Sequence, residues 1–121
     1  MENKEIINLI CKTLDEHKAK DIRIIDVNGV SSITDYFVIC SGRSTTQLAS
    51  LSENVTEKLE ENGVFAVRKE GKRGDNWIVI DFGDIMLHIF LEQTRKDYDL
   101  DSLWNSGNNL EVYEGTKDTN I

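Results

Sequence analysis

The chain has 121 residues, enough for a single hydrophobic core and too few for a second. Hydrophobic residues at 39% and charged residues at 30% give the balance of a globular domain, which excludes a disordered or fibrous chain. A formal charge of −8, from 22 acidic and 14 basic residues, repels phosphate backbones and anionic lipid and favours a basic protein partner. Free DNA and membranes are therefore poor partners.

Two cysteines, Cys11 and Cys40, each lie in an apolar run. They form neither a disulfide framework nor a Cys-x-x-Cys metal motif. No run approaches the roughly 20 apolar residues of a membrane span, and the acidic, amphipathic start is neither a signal nor a transit peptide. A reducing cytoplasm is the expected setting.

In chain order, residues 2–19 read as a helix, with Ile6, Ile10 and Leu14 at four-residue spacing and Ile7 and Cys11 widening the stripe. Ile22–Val27 is β-branched and reads as a strand, and Asn28-Gly29 as a turn. Tyr36–Cys40 is a continuous apolar run, as expected of a central strand covered on both faces. Ser44 and Gln47 form a capping-box pattern ahead of a helix carrying Leu48, Leu51, Val55 and Leu59, which Asn62-Gly63 ends.

Val64–Val67 reads as a short strand, and Arg68–Gly74 as a charged, glycine-marked loop. Trp77–Asp81 and Ile85–Leu91 form a hairpin about Phe82-Gly83-Asp84. Residues 95–104 read as one or two helical turns, and 105–121 as a polar, frayed tail. The expected fold is an α+β sandwich, a mixed β-sheet with flanking helices, with the working domain over 1–105 and a flexible tail over 106–121.

No catalytic set emerges from these residues. Asp81 and Asp84 flank the hairpin turn, where Asp beside Gly is ordinary turn chemistry, although a carboxylate pair can also hold magnesium or act as acid and base. His88 and Glu92 stand about 13 Å apart on an extended strand, too far for one metal. His88 shares a face with Met86 and Phe90 and reads as a sheet-face histidine bonded to a neighbour. Cys11 and Cys40 read as buried, inert thiols.

The Ser41–Ser44 junction lacks the nucleophile-elbow glycine and every phosphate-loop pattern, so capping accounts for Ser44. The aromatics carry more. Trp77 opens a strand, and Tyr98 and Trp104 follow in an acidic stretch; Trp and Tyr are favoured at interface hot spots, although Trp77 equally suits a corner of the core and Trp104 reads as core. The residues alone give an aromatic-plus-carboxylate stretch around the last two strands; joined to the resemblance described below, the expected contact face is Trp77, Asp81, Asp84, Glu92 and Tyr98. The basic loop reads first as a solvated loop, with Lys72 and Arg73 as candidates to touch RNA.

Two blocks carry a family resemblance. The first is Asp35–Ser44 followed by Gln47. The second is Glu70-Gly71, Asn76–Phe90, and then Arg95, Tyr98, Leu100, Leu103 and Trp104. Over residues 3–105 the chain resembles the ribosomal silencing factor, or Iojap, family. It departs at Asn76, where many relatives carry glycine.

The resemblance implies a nucleotidyltransferase-like fold without known catalysis and without metal or cofactor. It implies binding to the large ribosomal subunit at its ribosomal protein fourteen, with adjacent ribosomal RNA within reach. It further implies a block on subunit joining that lowers translation when nutrients are short. The chain has no Asp-x-Asp on the strand after the Ser41–Ser44 junction; Asp99-x-Asp101 falls in the late helical segment. Two other readings stand beside this one: a metal-dependent nucleotidyltransferase-like enzyme using Asp81 and Asp84, and a homodimeric interaction module with no ribosomal role.

Overall fold

The computed structural model describes residues 1–115. In chain order the elements are α1 (Asn3–Glu16), β1 (Lys20–Asp26), β2 (Tyr36–Gly42), α2 (Thr45–Glu61), β3 (Arg68–Glu70), β4 (Trp77–Asp81), β5 (Ile85–Leu91), α3 (Glu92–Tyr98), α4 (Leu100–Trp104) and β6 (Leu110–Val112). The strands form one sheet in the order β3-β4-β5-β2-β1-β6, in which β2 and β5 run parallel and every other neighbouring pair antiparallel. This is the mixed α+β sheet expected from the sequence.

Strand alternation sorts the core into two layers. On one face Ile22, Val38, Cys40, Ile78, Ile80, Ile85, Leu87 and Ile89 meet the apolar stripes of α1 and α2. On the other face Ile25, Val27, Phe37, Ile39, Met86 and Phe90 form a second cluster, against which Trp77, Val79, Leu100, Trp104 and Leu110 pack. The helices α3 and α4 cover only part of this second face, so it is the thinner side of the molecule.

The parallel pair β2 and β5 is buried on both sides, which explains their mostly apolar sequences, broken by His88 in β5 and by Ser41 at the end of β2. Both thiols sit in this interior, and burial pushes Cys11 and Cys40 up to about 12. Unpaired and buried, they are the inert thiols expected.

The α2 cap is close to expectation. Ser44 Oγ accepts the Gln47 backbone N–H at 3.1 Å, while Gln47 Oε1 accepts from Arg43 N–H at 2.6 Å, one residue earlier than an ideal capping box. Gly42 lets this turn close, because a Cβ there would stand 2.6 Å from a methyl of Leu48.

Two expectations are corrected. The strand read at 64–67 lies instead at Arg68–Glu70, inside the segment read as a loop. Val67 N–H bonds Asp81 O, and pairing with β4 then sets the register from Arg68 opposite Asp81 to Glu70 opposite Val79. A three-residue edge strand tolerates charged side chains, which also protect the open edge, so apolar content there misleads; Phe65 and Val67 are exposed.

The tail is the second correction. Residues 110–112 pair with β1, and Asn109 binds Asp26 O and Trp104 O through its side-chain amide, which fixes the approach to the strand. Tyr113 N–H continues the attachment by bonding Ile22 O, and residues 116–121 of the expected flexible tail lie outside the described residues.

Candidate interaction face

The second sheet face carries the most chemistry. Trp77, Val79 and Asp81 alternate onto it from β4, opposite Phe90, His88 and Met86 of β5 respectively. The indole of Trp77 stacks on Phe90 at 4.7 Å between ring centroids with 25° between planes, and Tyr98 leans on it at 4.7 Å and 52°. Its Nε1–H donates to His88 Nδ1 at 3.1 Å. Trp77 is half-buried, and Tyr98 is 59% exposed. Beside them runs a groove of about 250 Å³ lined by Ile33, Trp77, Val79, Met86 and His88, with Arg68, Glu70 and Asp81 also along it. Ile33 is itself 69% exposed. A partly open aromatic cluster next to an apolar groove has the composition of a protein-docking surface.

Gly71 holds β4 in place from the side. Its φ is +99°, and a Cβ there would lie 2.8 Å from Trp77 O, so the β3–β4 loop passes too close for any other residue.

The expected contact residues do not all meet. Glu92 is exposed one residue beyond Leu91, whose N–H bonds Asn76 O, so it sits by the start of Trp77's strand. Asp81 is already engaged: Oδ1 accepts Gly83 N–H at 2.8 Å, and Oδ2 lies 3.6 Å from Arg68 Nη2. Asp84 is exposed at the hairpin tip, where it accepts from Asn3 Nδ2 at 3.4 Å. Asp84 and Glu92 flank the seven residues of β5 and so stand about 26 Å apart along the strand. Trp77, Tyr98 and Glu92 thus group at one end of β5, with Asp81 and Asp84 toward the other.

Lys72 and Arg73 lie round the β3 edge, on the helix side. They line a shallow hollow with Ala49, Ser52, Glu53 and Ile78, and Arg73 Nη2 pairs with Glu53 of α2 at 3.3 Å. One flat partner does not cover both these cations and Trp77.

A second concavity sits beyond the C-terminal ends of the parallel strands, where α/β folds often bind ligands. Lys20, Asp21, Arg23, Ser41, Glu92, Arg95 and Asp101 line about 250 Å³ there. Its central cation is fully committed within the chain. Arg95, 7% exposed, donates to Asp101 through Nε at 3.2 Å and Nη2 at 2.8 Å, and through Nη1 to Asp21 O and Ser41 Oγ, both at 2.8 Å.

Burial pushes the Asp101 carboxyl up. The Arg95 hydrogen bonds and charge, with Arg23 adding, outweigh this and hold it below the usual value. The knot is structural: it ties α3 and α4 to β1 and β2. Sequence reasoning missed it because its hydrogen-bonded partners lie as many as 74 positions apart; Arg95 carried only the family signature. Among the described residues no group of three His, Cys, Asp or Glu side chains could hold a metal ion, and no helix is long and apolar enough to cross a membrane.

The comparisons agree with this fold. The family model described as "Ribosomal silencing factor during starvation" matches residues 1–120. The chain belongs to the ribosomal silencing factor family. It is 33% identical over 104 residues to the Bacillus subtilis ribosomal silencing factor, covering 86% of this chain and 88% of that protein. It is 35% identical over 101 residues to the mouse protein named for mitochondrial assembly of the ribosomal large subunit, covering 81% of this chain and 44% of that one. A crystal structure of a Chromobacterium violaceum protein superposes with a TM-score of 0.83 at 32% identity, covering 97% of both chains. The family is one of translational regulators, and the chloroplast Iojap protein of Zea mays is also a relative, at 29% identity.

Proposed function

We propose that this chain binds the large ribosomal subunit in the cytoplasm through ribosomal protein fourteen and blocks joining of the small subunit by occupying its space. The observation that carries this reading is the Trp77–Tyr98 cluster beside an apolar groove, on a domain of formal charge −8. Ribosomal proteins are commonly basic, so the field of this domain accelerates encounter, at a rate that falls with salt. Trp77 then supplies the desolvated anchor, and Glu92, with the more distant Asp84, supplies charge at the rim. Lys72 and Arg73, round the β3 edge, are placed to meet ribosomal RNA that overhangs the bound domain. The action is steric, so no bond is made or broken, and repression when nutrients are short follows from the loss of joined ribosomes.

Co-sedimentation with separated subunits tests the reading. Retention on the large subunit, weakened by Trp77→Ala and less by Asp84→Lys, is the expected result. Retention unchanged by both substitutions would move the contact elsewhere on the surface. The enzyme reading has less support, since Asp81 and Asp84 are turned to separate neighbours rather than to a shared site.

A further inference from the structure

We infer that His88 is a positioning residue for docking, which holds the Trp77 indole in the one orientation the partner meets. The inference rests on the proposed role of Trp77 as the anchor, and its evidence is independent of any partner.

The first observation concerns what stacking leaves undetermined. Phe90 and Tyr98 fix the plane of the indole, at 4.7 Å on each contact. An indole turned over by half a turn about its bond to Cβ presents similar faces to both rings. A directional contact at Nε1 distinguishes the two orientations, and the acceptor is His88 Nδ1 at 3.1 Å. His88 lies diagonally across from Trp77, directly opposite Val79, within ordinary cross-strand reach for long side chains. Its own ring is held edge-on by Phe37, at 4.9 Å and 83°.

The second observation is what the imidazole costs. His88 is 6% exposed. Since Nδ1 accepts, the proton of the neutral ring sits on Nε2, and Nε2 is buried with no partner among the described residues. The bond to Trp77 is the one hydrogen bond of that side chain among them. A leucine or phenylalanine would fill the layer between Met86 and Phe90 without an orphaned N–H. What neither can do is accept the indole N–H. The polar group sits where it weakens the core locally and orders the surface above it, a pattern met where a local rule yields to function.

The test compares His88→Leu, His88→Asn, Trp77→Ala and the double variant Trp77→Ala/His88→Leu. Asparagine places its side-chain oxygen near the position of Nδ1, and leucine removes the acceptor at similar volume. Two readouts are taken: hydrogen exchange at the Trp77 indole N–H in the free protein, and retention on purified large subunits.

The indole N–H should be protected in the wild type and the asparagine variant and exchange quickly in the leucine variant. Retention should fall roughly tenfold with leucine, the worth of one lost hydrogen bond, and recover to within about threefold with asparagine. The double variant should bind no worse than Trp77→Ala alone, because the histidine acts only through the indole. A merely structural histidine gives additive losses and no rescue by asparagine, which would overturn the inference. Equal indole exchange in wild type and leucine variant would overturn it whether or not subunits bind. If leucine prevents folding, the asparagine and wild-type indoles decide: loss of protection in a folded asparagine variant means the acceptor geometry is not what holds the ring. Should the wild type fail to bind while the exchange pattern holds, the docking reading falls and the clamp on Trp77 remains.

Discussion

Acid should loosen this protein through one histidine. Burial lowers His88 from 6.5 to about 4. Between those values the unfolded chain carries a proton that the folded chain refuses, so stability falls as pH drops through this window. At 1.36 kcal/mol per pKa unit, the linkage removes about 2 kcal/mol between pH 7 and pH 5, and about 3 kcal/mol in all by pH 4 and below. The carboxylate of Asp101 is held below its usual 3.8, so its stabilisation is present above that value and is lost only as pH falls beneath it. The two titrations therefore occupy separate windows. Urea unfolding at pH 7 and pH 5, for wild type and His88→Asn, isolates the effect. The wild type should lose about 2 kcal/mol more than the variant across that interval. Parallel losses would refute the reasoning, because a buried, neutral His88 cannot leave the pH slope unchanged when it is removed.

Three further perturbations follow from single contacts. Arg95→Met strips the Asp101 carboxylate of both its guanidinium hydrogen bonds, leaving only Arg23 at 3.7 Å, and should cost about 3 kcal/mol in denaturant unfolding; a loss under 1 kcal/mol would mean that Arg23 or water replaces the guanidinium. Gly71→Ala drives a methyl against Trp77 O at positive φ, and should cost more than about 1 kcal/mol and reduce protection of the Trp77 indole. Ser52 of α2, 1% exposed, buries a hydroxyl with no partner among the described residues. Ser52→Ala should leave thermal stability unchanged or raise it by up to about 1 kcal/mol, and a clear loss would reveal a hydrogen-bond partner.

The sequence made some of this architecture legible for definite physical reasons. Helical spacing from Ile6 to Leu14 and from Leu48 to Leu59 is enforced by burial of one stripe, so it survives as a pattern. The uninterrupted run Tyr36–Cys40 marked the centre of the sheet because parallel strands are covered on both sides. Edge strands defeated the reading: β3 is wholly exposed and charged, and β6 is only Leu110, Glu111 and Val112, too short to display a period. Their existence depends on backbone partners, which side-chain patterns do not record.

The same contrast holds at the interaction face. Trp77 stood out as an aromatic opening an apolar strand, Tyr98 as one in an acidic stretch, and His88 as a sheet-face histidine bonded to a neighbour. That the neighbour is Trp77 depends on the β4–β5 register, and that Asp81 is engaged by Gly83 and Arg68 depends on the turn and the β3 edge. Neither is written in residue spacing.

The account stands or falls on subunit joining. Purified small and large subunits, mixed under joining conditions with saturating amounts of this protein, are resolved on a sucrose gradient. The predicted profile keeps the subunits apart with the protein migrating on the large one, and Trp77→Ala restores the joined peak. A full joined peak with the wild-type protein at saturation would contradict the account.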